Sequence, residues 1–414
     1  MGSMRTNKEG TGETRVASPR SPLERTLWFA FMVILSLTFG AAAILSCCSP
    51  LRDRLPIPLF KEPGPPMHAG PVVRVRLADG VGRVTVGASA AGQWADEPGG
   101  AWTRAVEEGE WEVTAAGSLV RVSGEAEARL AFRFSPSDGL FELDGQRYRG
   151  ELVVEADGRG TLSATEVVEL DDYVRGVVGN EMSPGWPADA LKAQAVAART
   201  FAVYRTSGPG AARKWVSRSD MAYKGVKGES GAADEAVLAT ADRILTWEGQ
   251  PLAAYFHSCC GGHTAAVEKV YGGRAIPPLA GVPCTACRDC PSYRWTASLE
   301  LSDMAAKLAA RGVRDLQEVS VGDPDETGRP TDVVINGSEH MPINTFRLAL
   351  GAGAIKSTWF TVAEDWGKLK FEGQGWGHGV GMCQCGAEGL ARLGNTAEEI
   401  LRYYFPGSQI VSLY

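Results

Sequence analysis

The sequence predicts an α+β protein: an N-terminal membrane segment, a small antiparallel β region, and then a mixed α/β domain that contains a glycine-rich C-terminal block. Three observations support this prediction. An uncharged apolar run fills residues 27–46, apolar and polar residues alternate from residue 72, and strong helix-forming stretches follow residue 187. With 50 glycines and 23 prolines in 414 residues, the chain favours strands and turns over long helical bundles.

The apolar run at residues 27–46 predicts a signal or transmembrane segment, because it is about 20 residues long. Five basic residues precede it, which places residues 1–26 in the cytoplasm as an N-terminal tail. The stretch "AILSC" ends at Cys47 and is similar to a bacterial lipoprotein cleavage site. A lipoprotein and an uncleaved anchor therefore stay as alternatives. Both place the remaining chain in the cell envelope, outside the cytoplasm.

Residues 47–71 are rich in proline and indicate a semi-rigid linker. The β-rich region, residues 72–165, begins with Val73, Val75 and Leu77 alternating with arginines, which is the period-two pattern of half-buried strands. Asp-Gly pairs recur through this region and indicate tight turns between antiparallel strands.

The remaining residues, 166–414, form the predicted mixed α/β domain. Its clearest helix follows Pro187 and contains "LKAQAVAART", a run of strong helix formers. Three further helices are predicted at "GAADEAVLATAD", "LSDMAAKLAARG" and "TAEEILRYYF". The last begins with a capping box from Thr396 to Glu399. The net charge of −7 gives no electrostatic reason to expect a nucleic-acid partner.

Three stretches combine polar residues with glycine in a way that a plain core does not require. They are "GNEMSPGWP" around Glu181, "AYFHSCCGGHTAAV" at residues 254–267, and "GQGWGHGVGMCQCGAEGLA" at residues 373–391. Together with their flanking residues, 170–411, they resemble the stage II sporulation protein D family, also called the SpoIID/LytB domain. The three blocks occur in the order that the family has.

The resemblance implies an exported lytic transglycosylase, which cuts peptidoglycan glycan strands and leaves 1,6-anhydro-muramic ends. It also implies that Glu181 is the catalytic acid. The chemistry agrees, because an attacking hydroxyl within the sugar removes the need for the second carboxylate of ordinary glycosidases. One carboxyl can then serve as acid and base, and the apolar neighbours Met182, Trp186 and Pro187 favour an acid that holds its proton. No cofactor is required for this catalysis.

Several residues are candidates for binding the sugar polymer. Lys192 and Arg199 match basic positions on the family's helix, and they suit hydroxyl, acetamido and carboxylate oxygens. Tyr255 and His257 lie two apart on a predicted strand, so both face one side. The remaining candidates lie among glycines, which allow backbone to approach a ligand: His263, Trp376 and His378.

The cysteines leave two alternatives. Where the family commonly has Ser and Tyr, this chain has Cys383 and Cys385, and "CTACRDC" adds three cysteines at metal-like spacing. A structural zinc site is predicted from the set Cys260, Cys284, Cys287 and Cys290, with Cys383 as a substitute ligand. Export to an oxidising compartment favours disulfides instead. The seven cysteines that follow the linker are an odd number, which disulfides among them cannot exhaust.

Two other functions compete with the transglycosylase. The chain could be a non-catalytic module that binds glycan and activates a partner cell-wall amidase, but such a binder has no need of Glu181. The weaker competitor is a zinc hydrolase using His257, Cys260 and His263, which lacks an obvious carboxylate base nearby.

Overall fold

Eleven strands open the part of the chain that the computed structural model describes, residues 71–207 and 214–413. They are β1 (Val72–Val81), β2 (Arg83–Ala88), β3 (Gly92–Ala95), β4 (Arg104–Val106), β5 (Gly109–Ala116), β6 (Leu119–Val122), β7 (Ala131–Pro136), β8 (Leu140–Leu143), β9 (Gln146–Arg149), β10 (Glu151–Ala156) and β11 (Leu162–Glu169). The predicted tail, the membrane segment and nearly all of the linker lie outside the described residues. No helix within the described ranges has the length and apolar character to cross a membrane.

These strands form two sheets that share one core. One has the order β12-β1-β11-β10-β7-β3-β4, completed by the short parallel strand β12 (Val216–Ser217), and the other has the order β6-β5-β2-β8-β9. Trp111 of the second sheet lies 5.7 Å, between ring centroids, from Phe134 of the first. Burial of a side chain such as Phe134 contributes roughly 1.5–3 kcal/mol to folding.

Three helices follow and pack against the same core: α1 (Leu170–Glu181), α2 (Ala188–Ser207) and α3 (Gly231–Ala239). Helix α2 is the helix predicted after Pro187, and its residues Leu191, Ala195, Ala198 and Ala202 are buried. Helix α1 is not foreseen by the sequence analysis, and it places Glu181 at the end of one helix as well as before the next. A 3-10 turn at Gly225–Gly228 precedes α3.

The rest of the chain adds short elements around this body. In order they are β13 (Arg243–Trp247), β14 (Gln250–Pro251), β15 (Phe256–His257), α4 (Val267–Tyr271), a 3-10 turn (Pro277–Leu279), β16 (Arg294–Glu300), α5 (Leu301–Ala309), β17 (Val319–Val321), β18 (Asp332–Ile335), β19 (Glu339–Pro342), α6 (Ile343–Leu350), β20 (Phe360–Asp365), β21 (Lys368–Gln374), β22 (Met382–Cys383), α7 (Gln384–Arg392), α8 (Ala397–Tyr404) and β23 (Gln409–Ser412). Helix α8 begins with the predicted capping box of Thr396 and Glu399.

A second hydrophobic core, absent from the sequence predictions, lies within residues 295–371. It is built from the sheets β16-β21-β20 and β17-β18-β19 together with α5 and α6. The chain enters it through β16 and leaves through β21, which pair from Arg294 with Gln374 to Glu300 with Lys368. The paired ends of these two strands therefore connect the second core to the cysteine-containing and glycine-rich blocks. The predicted α+β class agrees with the mixture of strands and helices.

Candidate functional site

Glu181 ends helix α1 and is half-buried, with both carboxylate oxygens hydrogen-bonded. The backbone N–H of Ala222 donates to Oε1 at 2.7 Å. The amide Nε2 of Gln384 donates to Oε2 at 2.9 Å. These donors come from two distant parts of the chain, so the fold fixes the position of the carboxylate without occluding it.

Gln384 is itself held from the core. It is the first residue of α7, it is 4% exposed, and its Nε2 lies 3.4 Å from Oε1 of Gln194 on α2. Gln194 is fully buried among the alanines of that helix. A buried amide beside a buried amide is restricted to few rotamers, which favours a single orientation of the Gln384 donor toward Glu181.

The segment that contains the other donor, Ala222, is anchored by the next residue, Tyr223. Tyr223 is buried, and its hydroxyl donates to Oε1 of Glu166 at 2.8 Å. The Tyr223 ring packs on Gly176 of α1, where an added Cβ would lie 2.5 Å from a ring carbon. Burial raises the pKa of Glu166 to about 8, although the bond from Tyr223 opposes that shift. A neutral Glu166 thus anchors the loop whose backbone binds Glu181.

The two basic residues predicted to bind glycan have different surroundings. Lys192 is about one-third exposed, and its Nζ lies 3.5 Å from Oδ1 of Asp189. Arg199 is only 1% exposed, and its guanidinium donates to Oδ1 of Asp171 at 2.7 Å and to the carbonyl of Thr240 at 2.8 Å. The prediction that Arg199 contacts substrate is therefore corrected: its side chain joins α1, α2 and the chain after α3.

The structure brings Tyr255, His257 and His378 together. The imidazole centroids are 5.4 Å apart, and the Tyr255 ring lies 5.8 Å from that of His378. His257 Nδ1 donates to the carbonyl of Val380 at 3.0 Å, while His378 Nδ1 accepts the N–H of the same residue at 3.1 Å. The backbone of one residue, Val380, thus holds both rings through its N–H and its carbonyl.

Both histidines are neutral near pH 7. Burial and then the neighbouring His378 lower the pKa of His257 well below 6.5, and burial and then Arg347 lower that of His378 to about 4. His257 is 4% exposed, so it supports the loop and does not face solvent. Its Nε2 has no hydrogen-bond partner among the described residues.

Glycines in the C-terminal block allow this close packing. Gly377 has φ +114°, and a Cβ there would lie 2.7 Å from the Cβ of His257. Trp376 is 38% exposed, and Lys356 Nζ lies 4.9 Å from its ring centroid. The block pairs with the other glycine-containing motif through Cys259, whose backbone exchanges hydrogen bonds with Trp376. His263 is partly buried, and its Nδ1 donates to the carbonyl of Thr264 at 2.7 Å.

The seven cysteines of residues 259–385 gather in two neighbouring groups. The sulfur atoms of Cys260, Cys284, Cys287 and Cys383 all lie within 4.8 Å of one another and belong to buried residues. Cys290 is instead disulfide-bonded to Cys385, with Cys259 close by. The predicted ligand set is corrected at one position, since Cys383 takes the place of Cys290.

The cluster of Cys260, Cys284, Cys287 and Cys383, which we call the four-sulfur group, has the features that a tetrahedral zinc site requires. The sulfurs of Cys260 and Cys287 are 3.5 Å apart, close to the separation of two thiolates on one zinc at about 2.3 Å each. The N–H groups of Cys260 and Gly386 point at the sulfur of Cys383, at 3.2 and 3.3 Å. Such N–H donors stabilise thiolates around metals. The donor set therefore fits zinc.

Sequence reasoning missed the two residues that hold Glu181, Gln384 and Ala222, and also Gln194, which holds Gln384. Two signals were available. Gln194 lies three residues after Leu191, on the core side of an alanine-rich helix, where a polar side chain needs a partner. Gln384 stands between the two unusual cysteines of "GMCQCGA". No local signal identifies Ala222, because only its backbone is used.

Comparison with known proteins shows where this chain is similar to others. Residues 158–247 match a family model described as stage II sporulation protein. The stage II sporulation protein D of Bacillus subtilis is 31% identical over 266 residues, which cover 60% of this chain and 76% of that protein. An uncharacterized protein of Brachyspira hyodysenteriae is 36% identical over 286 residues, or 67% of this chain and 76% of that one. The amidase enhancer of Bacillus subtilis is 26% identical over 290 residues, 58% of this chain and 40% of that protein.

Proposed function

Because this chain belongs to the stage II sporulation protein D family, we propose that it is an exported lytic transglycosylase acting on peptidoglycan glycan strands. Glu181 is the single general acid and base. The observation that carries the proposal is the half-buried Glu181 carboxylate, which is held by one donor on each oxygen. A carboxyl in a fixed position is what proton transfer to a bound polymer needs.

The reaction uses Glu181 twice. The protonated carboxyl gives its proton to the glycosidic oxygen between MurNAc and GlcNAc, and the bond from that oxygen to C1 of MurNAc breaks. The C6 hydroxyl of the same MurNAc then attacks C1 and loses its proton to the carboxylate. The product is a 1,6-anhydro-MurNAc end, and no water is consumed. Gln384 and the Ala222 N–H keep the carboxylate in place while its charge changes.

A digest of purified glycan strands, with and without stem peptides, tests the proposal. The full-length chain should release anhydro-MurNAc ends detectable by mass spectrometry, and Glu181→Gln should release none. Glu235→Gln, which removes an exposed carboxylate on α3, is the matched control and should cleave normally. Reducing ends in place of anhydro ends would mean hydrolysis with a second carboxylate.

The similarity to an amidase enhancer favours a second candidate, a glycan-binding protein that activates a cell-wall amidase. The same digest separates the two. If Glu181→Gln and the parent bind glycan strands equally and neither cleaves them, the activator is the better account. Adding a cell-wall amidase should then raise the rate at which stem peptides are released, with or without Glu181.

We propose that the four-sulfur group holds a structural zinc ion on Cys260, Cys284, Cys287 and Cys383. Four protein thiolates leave no open coordination position, so the metal would cross-link loops without taking part in bond cleavage. Metal analysis of the full-length chain should find one zinc per molecule, lost in Cys383→Ser and kept in Cys259→Ser. A metal-free protein in which Cys260, Cys284, Cys287 and Cys383 are free thiols would contradict the site.

We also propose that residues 27–46 attach the protein to a membrane of the cell envelope, as an anchor or, through Cys47, as a lipoprotein. Membrane fractions of cells producing the full chain should contain it. Labelled fatty acid should be incorporated only in the lipoprotein case, and Cys47→Ala should abolish that incorporation. Recovery of the intact chain from a soluble fraction would argue against attachment.

A further inference from the structure

The solvent face of the sheet β16-β21-β20 carries a groove that lies outside the site of Glu181 and its partners. The groove has a volume of about 570 Å3, and its lining comes from residues 294–296, 359–361 and 372–374. Outward side chains such as Arg294 and Thr296 alternate with the buried Trp295, which faces the second core. The outward side chains supply hydroxyl, amide, carboxylate and guanidinium groups.

One aromatic ring at the edge of this groove is fixed in advance. Trp359 donates from Nε1 to the carbonyl of Gly328 at 3.0 Å, and the guanidinium carbon of Arg329 lies 4.7 Å from its ring centroid. Arg329 is buried and donates to the carbonyls of Cys260 and His263 at 3.1 and 2.9 Å. A ring held this firmly loses little conformational entropy when a ligand binds.

A second hollow of about 570 Å3 continues the first, since both are lined by Arg294. It adds Arg288, Pro291 and Tyr293, and we call the combined surface the arginine groove. The Tyr293 carbonyl accepts the N–H of Gly375 at 2.8 Å. The arginine groove therefore adjoins the glycine-rich C-terminal block, and its two hollows provide room for several units of an extended polymer.

The arginine groove has an excess of positive charge. Arg288 and Arg294 are exposed, and within the described ranges neither guanidinium makes an ion pair or a side-chain hydrogen bond. The acidic residue of the lining, Glu372, is paired with Lys370 at 2.7 Å. Unpaired guanidinium groups beside a fixed indole suit a ligand that has both carboxylates and flat apolar faces.

We infer that the arginine groove binds a second stretch of the peptidoglycan glycan strand, beyond the sugars that react at Glu181. In strands whose stem peptides have been removed, the lactyl carboxylates of muramic residues pair with Arg294 and Arg288, and a sugar face stacks on Trp359. Hydroxyl and acetamido groups bond to Thr296 and Gln374. The identity of the polymer rests on the proposed function, whereas the existence of the subsite rests on the groove.

The test measures binding and not cleavage, in the Glu181→Gln background of the full-length chain. Dissociation constants are compared for soluble stem-free glycan strands of two lengths, a two-disaccharide fragment and strands of about ten disaccharides. Trp359→Ala and Arg294→Gln should each weaken binding of the long strands roughly tenfold, the usual effect of losing one well-packed contact. Binding of the short fragment should not change, because it fills only the site of Glu181.

Trp366→Ala is the matched control, since Trp366 is 98% exposed on the turn between β20 and β21 and lies outside the groove. It should bind strands of both lengths as the parent does. Arg294→Gln keeps the test valid should Trp359→Ala disturb the packing of Arg329. Unchanged long-strand binding in both variants would overturn the inference, as would an equal loss for long and short strands. Failure of the proposed cleavage reaction would leave these binding results unaffected, so the two proposals fail separately.

Discussion

Replacing Glu166 by glutamine should reduce the loss of stability that this protein undergoes as the pH rises. Glu166 lies on β11 and is completely buried. Its Oε1 accepts the Tyr223 hydroxyl at 2.8 Å, and its Oε2 has no partner among the described residues. Burial raises its pKa to about 8, with smaller contributions of the same sign from Asp172 and Glu229.

The sign and size of the effect follow from the two pKa values. In the unfolded chain Glu166 ionises near 4.5, whereas in the folded protein it holds its proton up to pH 8. Its contribution is therefore fully favourable below pH 4.5 and is lost between pH 4.5 and 8. At about 1.4 kcal/mol for each pKa unit, the total loss is roughly 5 kcal/mol. By pH 7 about 3 kcal/mol of it has already gone.

Urea unfolding of the full-length chain at pH 5, 7 and 8.5 measures this effect. Glutamine cannot ionise but retains an acceptor for the Tyr223 hydroxyl. The difference in unfolding free energy between Glu166→Gln and the parent should therefore shift in favour of the variant by several kcal/mol from pH 5 to 8.5. Glu235→Gln, on the surface, should follow the parent at each pH. A constant difference between Glu166→Gln and the parent would refute the reasoning, whatever its size.

Three further substitutions test separate parts of the structure. Gln384→Ala removes a donor to Glu181 and should lower kcat roughly ten- to a hundredfold with little change in KM, in the glycan-strand digest. An unchanged kcat would show that this amide does not position the acid. Arg199→Met removes a partly buried ion pair and leaves the buried carbonyls of Thr240 and Val237 without this donor. It should lower the unfolding free energy by about 3 to 5 kcal/mol, while glycan affinity at a temperature where the variant is folded stays unchanged. Burial lowers the pKa of His378 to about 4, so its stabilising contribution is complete above pH 6.5 and is lost as pH falls from 6.5 to 4. His378→Asn keeps an acceptor for the Val380 N–H and should reduce the fall in unfolding temperature between pH 6.5 and 4. An unchanged fall in unfolding temperature would show that other groups cause it.

Local patterns in the sequence predict the elements whose causes are local. Val73, Val75 and Leu77 are buried in β1 as their alternation requires, and helix α2 begins at Ala188, directly after Pro187. The capping box of α8 is present in full. In each case the decisive interactions span only a few residues, so propensity and periodicity are sufficient.

Helix α1 shows why other elements were missed. Its sequence "LDDYVRGVVGNE" combines two glycines with three valines, which are poor helix formers. Both glycines serve distant contacts: Gly176 admits the ring of Tyr223, and Gly179 lies against the backbone of Gly228. Tertiary packing therefore compensates for weak helix propensity, and nothing in the local sequence reports that packing. The second core was missed for a related reason, since its two sheets consist of strands of three to seven residues from separate parts of the chain.

The cysteines show how a correct composition argument can leave the pairing open. An odd number of cysteines excludes complete pairing, and the structure resolves the number into four, two and one: the four-sulfur group, the Cys290–Cys385 disulfide and Cys259. The sequence leaves zinc and disulfides as alternatives, yet the arrangement of the cysteines accommodates both. Spacing within "CTACRDC" does not show that Cys290 forms the disulfide while Cys284 and Cys287 join the four-sulfur group. That division depends on where the fold places Cys383 and Cys385, which are distant in sequence.

The stretch Met382-Cys383-Gln384 joins the thiol group to the proposed acid. Met382 and Cys383 form β22 and pair in parallel with β15. The sulfur of Cys383 belongs to the four-sulfur group and also accepts the N–H of Gly386, which caps α7. The next residue, Gln384, binds Glu181. A bound zinc would therefore restrain the residue directly before the donor to the acid. Loss of zinc should then lower kcat as Gln384→Ala does, and in the Gln384→Ala variant the further loss of zinc should have much less effect on kcat. Fully additive effects on kcat would show that the metal and the amide act independently.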